Sequence, residues 1–305
     1  MKQRSTVIIG KTRVDVSNLG KLFYPKAGFT KGDVIDYYIR ISEFLLPHLK
    51  NRPLTLKRYP EGVEGFFFYE KQCPPHRPGW VKTTPVPRSE GGNIDYCVLD
   101  GLPALVWVAN LADLELHTFL HCLSNIHRPT ALAFDLDPGP PADIVACCEV
   151  ALRLKQLFDR LGLEAFPKTS GSKGLQVYVP LNTPVSYDQT KPFALAVAEL
   201  LARELPGKVV SKMAKSLRKQ KVFVDWSQND DHKTTVNVYS LRARERPTVS
   251  TPVTWNEVAG ALKRRDAESL VFEAGHVLER VTRHGDLFAP VLTLKQKLPA
   301  LRSLH

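Results

Sequence analysis

Two aspartates, Asp135 and Asp137, lie two positions apart at the end of the stretch ALAFDLD, residues 131–137. Large apolar residues alternate there with alanines and aspartates, a period of two that is typical of a half-buried strand. Both carboxylates would then project from one face, where their like charges repel. A divalent cation that prefers hard oxygen ligands, Mg²⁺ or Mn²⁺, would relieve that repulsion. The alternative is a solvated acidic turn before Pro138.

The elements around this stretch predict an α+β fold. The predicted strands cover residues 7–16 (a pair), 54–59, 175–179 and 221–226, with 235–239 as the hairpin partner of 221–226. Predicted helices run from about Lys31 to Pro47, then over 144–161 and 193–205, from about 255, and over 266–274; residues 111–123 also have helical spacing. We expect a single domain over 1–305, with a core at about 13–290 and a mobile C-terminal tail over 291–305.

Composition favours a polyanionic partner. Lysine and arginine exceed aspartate and glutamate, 42 to 31, for a formal net charge of +11, and such an excess most simply suits nucleic acid. The N-terminus lacks the apolar core of a signal peptide, so a cytoplasmic protein that contacts no membrane is expected. With a nucleic-acid partner, such a protein would be nucleoid-associated. Five cysteines, an odd number, argue against a disulfide framework. Cys73 and His76 with His121 and Cys122 match no strong zinc pattern, and a buried structural role is favoured for them.

Two further stretches have the composition of binding sites. Residues 169–174, TSGSKG, surround one lysine with small residues, so that backbone amides and an ammonium could approach an anion. A strand follows this loop, which distinguishes it from a Walker A motif. Residues 65–71, GFFFYEK, form either a buried aromatic strand, which periodicity favours, or a segment with an exposed ring for base stacking.

In their order and spacing, several of these motifs resemble one known family. The motifs are Glu115-Leu116-His117, Phe134-Asp135-Leu136-Asp137-Pro138-Gly139, Thr169-Ser170-Gly171-Ser172-Lys173-Gly174, Val224-Asp225 and Tyr239-Ser240-Leu241-Arg242-Ala243-Arg244. Together they resemble the polymerase domain of bacterial and archaeal non-homologous end-joining ligases, the LigD-type domain of the archaeo-eukaryotic primase superfamily. That resemblance implies a core of mostly antiparallel sheets flanked by helices, with two lobes around a catalytic cleft.

The resemblance also implies roles for individual residues. The expected catalytic and metal-binding residues are Asp135, Asp137 and Asp225, which would hold two divalent ions, Mn²⁺ or Mg²⁺. The expected nucleotide-binding residues are His117, Ser170, Lys173, Gln176 and Arg242. The expected DNA-binding residues are Lys21, Lys31, Lys57, Phe68, Tyr69 and Arg218, with Lys21 and Lys31 on a downstream 5′-phosphate. The loop at 88–93 would help to align two DNA ends.

Two positions depart from the pattern that the resemblance implies. Gln176 stands where a histidine is usual, and Gln228 where an arginine is usual. A glutamine donates and accepts hydrogen bonds but cannot become a cation near pH 7. These changes bear on rate, fidelity and nucleotide preference.

The predicted activity is metal-dependent, template-directed nucleotidyl transfer that fills gaps and extends ends, with ribo- or deoxynucleoside triphosphates, at double-strand breaks. The sequence contains no Lys-x-Asp-Gly ligase motif, so we expect a separate DNA ligase, or a further domain, and an end-binding protein of the Ku type. The alternatives are a primase that starts chains de novo and a catalytically silent module that bridges DNA ends.

Overall fold

The computed structural model describes residues 4–88 and 91–304. Ser89 and Glu90, inside the predicted end-aligning loop, lie outside the described residues. Contacts divide the chain into two compact units. Unit 1 comprises Met1–Thr118, Val236–Ser250 and Phe272–Gly285, and unit 2 comprises Phe119–Thr235, Thr251–Val271 and Asp286–His305. The prediction of a single domain over 1–305 stays a prediction.

The elements follow one another along the chain with strands predominating. The strands are β1 (Arg4–Ile9), β2 (Thr12–Ser17), β3 (Leu22–Tyr24), β4 (Phe29–Thr30), β5 (Leu54–Arg58), β6 (Phe68–Glu70), β7 (Lys82–Pro87), β8 (Asn93–Val98), β9 (Asp113–Thr118), β10 (His121–Cys122), β11 (Asn125–Pro129), β12 (Ala131–Pro138), β13 (Phe166–Thr169), β14 (Leu175–Pro180), β15 (Val209–Val210), β16 (Val222–Asp225) and β17 (Thr235–Val236). The helices are α1 (Lys31–Leu49), α2 (Leu102–Asn110), α3 (Ile144–Arg160), α4 (Tyr187–Glu204), α5 (Trp255–Arg264), α6 (Ala274–His284) and α7 (Pro290–Thr293). None of the helices in the described ranges is long and apolar enough to cross a membrane.

Unit 1 is built on a sheet of order β17-β9-β5-β8-β7, with β6 added to β5. Helix α1 begins in a capping box in which Thr30 and Asp33 exchange hydrogen bonds between side chains and backbone, which satisfies amides that a helix start leaves unpaired. Its buried stripe includes Val34, Tyr38 and Ile41. The helix passes Pro47 and ends two residues later.

Unit 2 is built on a sheet of order β13-β14-β12-β16-β15, in which β12 pairs antiparallel with both β14 and β16. Strand β12 is the predicted acidic strand. Its large apolar residues, Leu132, Phe134 and Leu136, are fully buried, and Phe158 of α3 packs 5.5 Å from Phe134, ring centre to ring centre. The apolar face of β12 thus belongs to the core, and the carboxylates take the opposite face.

The predicted helical interpretation of residues 111–123 is wrong. Ala112, with a positive φ of 65°, makes the turn out of α2, and β9 follows with all six of its residues buried. Its sequence, DLELHT, does alternate polar and apolar residues, the period of a strand, but the helical spacing over the longer stretch 111–123 obscures it. His117 therefore lies on a central strand.

Two other element predictions are also corrected by the structure. Strand β16 pairs with β12 and β15, while residues 235–236 form β17 in the other sheet, so 221–226 and 235–239 are not a hairpin. The helix predicted over 266–274 is replaced by a short 3₁₀ turn, Glu268–Leu270, followed by α6. The strand that pairs with β16 and the end of the helical segment are both decided by packing against residues distant in the chain.

Cysteine pairing and the C-terminal segment differ from expectation as well. Cys73 and Cys97 form a disulfide with their Cα atoms 5.0 Å apart, although the cysteine count argued against such bonds. The predicted tail is anchored, because the Gln296 side chain donates to the carbonyls of Glu164 and Pro180 and Leu304 is buried. Residues 291–304 are therefore packed on unit 2.

Candidate active site

The three predicted catalytic carboxylates share one face of the unit 2 sheet. Asp135 of β12 lies directly opposite Asp225 of β16 and, on its other side, opposite Gln176 of β14. Gln176 in turn lies opposite Lys168 of β13. Because cross-strand neighbours project to the same face, these four residues form one row across four strands. Asp137, two positions along β12, projects to the same side.

The electrostatics of this row suit a cation. Burial and the neighbouring charge of Asp137 raise the pKa of Asp135 to about 7, although a hydrogen bond from the Gln176 side chain acts to lower it. The Asp135 Oδ1 atom is shielded from solvent and has no hydrogen-bond partner, which is costly for a carboxylate oxygen. A divalent cation would supply the missing partner and the opposite charge. The donor set of converging carboxylates therefore fits the predicted metal.

Asp225 is held in place by its own loop. Its Oδ1 accepts hydrogen bonds from the backbone amide and hydroxyl of Ser227, at 2.9 and 2.6 Å. Its Oδ2 accepts from Gln228 Nε2 at 2.8 Å. Gln228, one of the two departures from the expected pattern, thus orients a site carboxylate through a neutral hydrogen bond.

Gln176, the other departure, has a fixed amide orientation. Lys168 is buried, and its ammonium donates to Gln176 Oε1 at 2.5 Å. Because that oxygen is the acceptor for Lys168, the Nε2 group is the one that donates toward Asp135. A buried cation therefore acts on the carboxylates through the glutamine.

The loop between β13 and β14 presents an anion-binding arrangement beside this row. The Ser170 hydroxyl oxygen accepts hydrogen bonds from the amides of Ser172 and Gly174 at 3.2 and 3.1 Å, which fixes the hydroxyl within the loop. Lys173 is exposed, and none of the residues described by the structure forms an ion pair or hydrogen bond with its ammonium. A Cβ atom on Gly174 would lie 2.2 Å from the Leu136 carbonyl oxygen, so glycine is what lets this loop lie against β12.

Arg218 reaches the same face from residues 208–221, a basic stretch rich in lysine and arginine. Its guanidinium stacks 3.8 Å above the Phe223 ring, and one nitrogen donates to the Met213 carbonyl. Phe223 lies opposite Asp137 across β12 and β16, which places Arg218 over the carboxylate face. A Cβ atom on Gly139 would clash with the Arg218 backbone, so the turn after β12 supports the basic stretch.

The remaining predicted residues lie in unit 1, where a second row crosses three strands. Lys57 of β5 lies opposite Tyr69 of β6 and Glu115 of β9. His117 projects to the same face, two residues beyond Glu115. Arg242 lies 3.3 Å from Glu115, between its Nε and Glu115 Oε2. The structure thus brings Lys57, Tyr69, His117 and Arg242 together around one buried carboxylate.

The aromatic stretch is largely exposed, contrary to the buried strand that periodicity favoured. Phe66 is 74% exposed and Tyr69 56% exposed, and Phe67 and Phe68 are less so. Tyr69 packs edge-on to His117 with ring centres 5.9 Å apart. Exposed rings on a sheet face next to cations are the usual platform for unpaired bases.

Lys21 and Lys31 lie together at the start of α1. The Lys31 amide donates to the Lys21 carbonyl at 2.8 Å, and Lys31 is only 5% exposed. Burial, together with the charges of Lys21 and Arg58, lowers the pKa of Lys31 to about 8. Lys21 is also paired with Glu61 at 2.6 Å. Three cations and a helix N-terminus therefore converge.

Sequence reasoning missed Glu115, Lys168 and Arg58. Glu115 precedes His117 by two residues, which on a strand means the same face, but the segment was interpreted as a helix. Arg58 neighbours a predicted binding lysine in sequence. Lys168 carries no local signal, because only cross-strand register aligns it with Gln176 and Asp135.

Fold and site together define a mixed α and β protein with a carboxylate row and a basic loop. Residues 30–288 match the family model of the LigD primase-polymerase domain. The chain is 39% identical over 298 residues to the multifunctional non-homologous end joining protein LigD of Mycolicibacterium smegmatis, covering 96% of this chain and 38% of that protein. It is 31% identical over 294 residues to the bifunctional LigD of Bacillus subtilis, covering 96% and 46%.

A solved structure shows the same fold. The polymerase domain from Mycobacterium tuberculosis Ligase D in complex with DNA superposes with a TM-score of 0.84 at 40% sequence identity, covering 93% of this chain and 99% of that chain. The chain therefore belongs to the LigD primase-polymerase domain family. It spans less than half the length of the curated relatives named above.

Proposed function

We propose that this chain is a metal-dependent DNA repair polymerase that fills gaps and extends broken ends in non-homologous end joining. The observation that carries the proposal is the row formed by Asp135 and Asp225, with Asp137 beside them and the Ser170–Lys173 loop adjacent. Acids that only bind DNA have no reason to converge on a partly buried face, because phosphate backbones repel carboxylates. Membership of the family supports the same activity.

Asp135, Asp137 and Asp225 would hold two divalent ions, Mn²⁺ or Mg²⁺. When bound, such ions lower the pKa of a primer 3′-hydroxyl and neutralise charge on the triphosphate and the leaving pyrophosphate. The side chains of the Ser227–Gln228 segment keep Asp225 oriented.

The chain's own cations would bind the incoming nucleotide. Ser170 donates its hydroxyl proton, and Lys173 and Arg242 add positive charge, toward phosphate oxygens. Gln176 supplies a neutral donor beside Asp135, and Arg218 covers the same face. We include both ribo- and deoxynucleotides as substrates.

Lys21 and Lys31, at the N-terminus of α1, would bind the 5′-phosphate of a downstream strand. Such a terminal phosphate carries more charge than an internal phosphodiester, so a converging set of cations and free helix amides favours it. Lys57, Phe68 and Tyr69 would contact the template. The ligation step falls to a ligase and the end recognition to a Ku-type protein, at chromosomal DNA.

Primer extension across a short gap tests the proposal. The unmodified chain with Mn²⁺ or Mg²⁺ should add ribo- and deoxynucleotides to a primer, directed by the template. Asp135→Ala and Asp137→Ala should each lower extension by orders of magnitude, because each removes a metal ligand. Duplex binding should persist in both variants, since it depends on basic residues elsewhere.

Three outcomes would contradict this assignment. Extension by Asp135→Ala at the unmodified rate would show that the carboxylate row is not the catalytic centre. Efficient synthesis on a single-stranded template without a primer would indicate a primase, and no extension under any condition would indicate an end-bridging module.

A further inference from the structure

Glu115 contacts several polar groups on the sheet face of unit 1 that also carries Lys57, Tyr69 and His117. It is 1% exposed, and its two oxygens divide their partners. Oε2 contacts Lys57 Nζ at 3.1 Å and His117 Nε2 at 3.0 Å. Oε1 accepts from the Ala243 amide at 3.0 Å. One carboxylate thus links strand β5, strand β9 and the segment that carries Arg242.

The contact with Glu115 fixes the state of His117. A carboxylate only accepts hydrogen bonds, so the His117 nitrogen that faces it, Nε2, carries the proton. Burial lowers the pKa of His117 below its usual value, although the hydrogen bond to Glu115 acts to raise it. The ring is therefore neutral near pH 7. Nδ1 is then an acceptor, which suits a hydroxyl or amide donor and not a phosphate oxygen.

Glu115 also holds two cations that would otherwise repel each other. The Lys57 ammonium lies between three rings, 4.8 Å from the centre of Phe67, 5.3 Å from Tyr59 and 5.5 Å from Tyr69. Arg242 Nε lies 3.3 Å from the same oxygen that contacts Lys57, Glu115 Oε2. With two cations, one anion and a neutral histidine, the cluster keeps a net positive charge for an anionic substrate.

Burial raises the pKa of Glu115, but the hydrogen bond with His117 and the charges of Arg242 and Lys57 outweigh burial and hold this pKa below its usual range. Glu115 therefore remains ionised at neutral pH. A buried ion cluster of this kind is weak evidence for stability, because the desolvation of the ions offsets their attraction. The role of this ion cluster therefore lies in fixing the positions of its side chains.

We propose that Glu115 is a positioning residue for nucleotidyl transfer, which fixes Lys57 and Tyr69 on the template side and His117 and Arg242 on the nucleotide side in one arrangement. The inference rests on the proposed polymerase function and adds a residue and a role to it. His117 acts in this arrangement as a neutral hydrogen-bond acceptor for the sugar or base of the incoming nucleotide.

Steady-state primer extension by Glu115→Gln tests the role. The amide keeps the size of the side chain but removes the charge and offers a donor to partners that are themselves donors. The KM for the incoming nucleotide should rise about 10- to 100-fold, the range for losing a charge-assisted contact. Glu115→Asp, which keeps the charge, should recover part of this loss.

A matched control and a double mutant separate positioning from a general structural effect. Glu273→Gln removes a Glu–Arg pair of the same unit, 3.3 Å from Arg246, and should leave the KM unchanged. If Glu115 acts through Arg242, then Glu115→Gln added to Arg242→Ala should raise the KM much less than Glu115→Gln alone. Simple addition of the two effects would overturn the proposal.

A measurement on the unmodified full chain reports on His117 without any change at Glu115, and a variant serves only to assign the signal. ¹⁵N-correlated NMR of the imidazoles, with the His117 signal assigned by its loss in His117→Gln, should show the neutral Nε2–H tautomer at pH 7.5. An Nδ1–H tautomer or a protonated ring would overturn the inference, as would an unchanged nucleotide KM in folded Glu115→Gln. Absence of extension by the unmodified chain would instead contradict the proposed function.

Discussion

At the scale of single residues, neutral and buried partners set the properties of the charged groups. Lys168 reaches Asp135 only through Gln176, and Gln228 and Ser227 hold Asp225. Each of these partners restricts the orientation of a carboxylate that its strand already directs toward the site. Two predictions follow from such partners.

Replacing Gln176 tests the link between Lys168 and Asp135. Gln176→Leu loses both hydrogen bonds and leaves a buried ammonium and a carboxylate without this bridge, so extension should fall at least about tenfold, or about 1.4 kcal/mol. Gln176→His should retain activity, because an imidazole can accept from Lys168 with one nitrogen and donate to Asp135 with the other. Single-turnover extension measures both variants, and equal rates for Gln176→Leu and the unmodified chain would contradict the link.

The pH dependence of 5′-phosphate recognition tests Lys31. The pKa of Lys31 is lowered to about 8, so the free protein carries this charge below pH 8 and loses it above. A bound phosphate favours the charged form, and the preference for 5′-phosphorylated over 5′-hydroxyl gapped duplex should therefore shrink as pH rises from 7 to 9.5. Fluorescence anisotropy measures the two affinities.

Lys31→Arg is the control for that titration. A guanidinium stays charged over the whole range, so this variant should show a nearly constant preference. A preference that is equally constant in the unmodified chain would show that Lys31 does not bind the phosphate.

At the scale of elements, strand register and two glycines determine where the side chains of the candidate site lie. Strand β12 sits between β14 and β16, and this order alone aligns Gln176, Asp135 and Asp225. The loops on either side of the row approach β12 at Gly139 and Gly174, where the Cβ atom of any other residue would clash with backbone atoms. The basic elements are thus fitted against the acidic strand by residues that carry no charge.

Gly174→Ala should separate the loop from the strand. Its Cβ atom would lie 2.2 Å from the Leu136 carbonyl oxygen, and relief requires a backbone shift that typically costs about 1–3 kcal/mol. We expect a lower Tm and a raised KM for the nucleotide, since Ser170 and Lys173 move with the loop. Gly207→Ala, where a Cβ atom meets nothing within 4 Å, is the control and should change neither quantity.

At the scale of the whole molecule, a net charge of +11 would make the proposed DNA binding electrostatic. The described structure places defined cations in each unit, Lys173 and Arg218 in unit 2 and Lys21 and Lys31 in unit 1. In the proposed function the general excess would attract any duplex, whereas the converging lysines would distinguish a terminal phosphate.

Salt titration separates these two contributions. Lys21→Ala combined with Lys31→Ala should flatten the slope of log affinity against log salt by about two for 5′-phosphorylated gapped duplex, roughly 0.9 for each lysine that neutralises a phosphate. Extension of a simple primed template should change little. Equal affinity of the unmodified chain for 5′-phosphate and 5′-hydroxyl ends at low salt would show that the phosphate site does not exist.

The sequence by itself determined the features that depend on neighbours along the chain. The acidic strand at 131–138, the helix starts near Lys31 and Trp255 and the glycine-serine loop before β14 are all found where the pattern predicts them. Strand alternation, caps and tight loops are local properties, so local sequence encodes them.

Tertiary structure alone decided which distant residues become neighbours. Strand β9 carries the alternation of a strand in its sequence, DLELHT, but only its pairing with β5 places Glu115 beside Lys57. Lys168, Gln176, Asp135 and Asp225 form one row only because four strands pair in a particular order and register. Cross-strand pairing joins residues that lie far apart in the chain, and no local period records that choice.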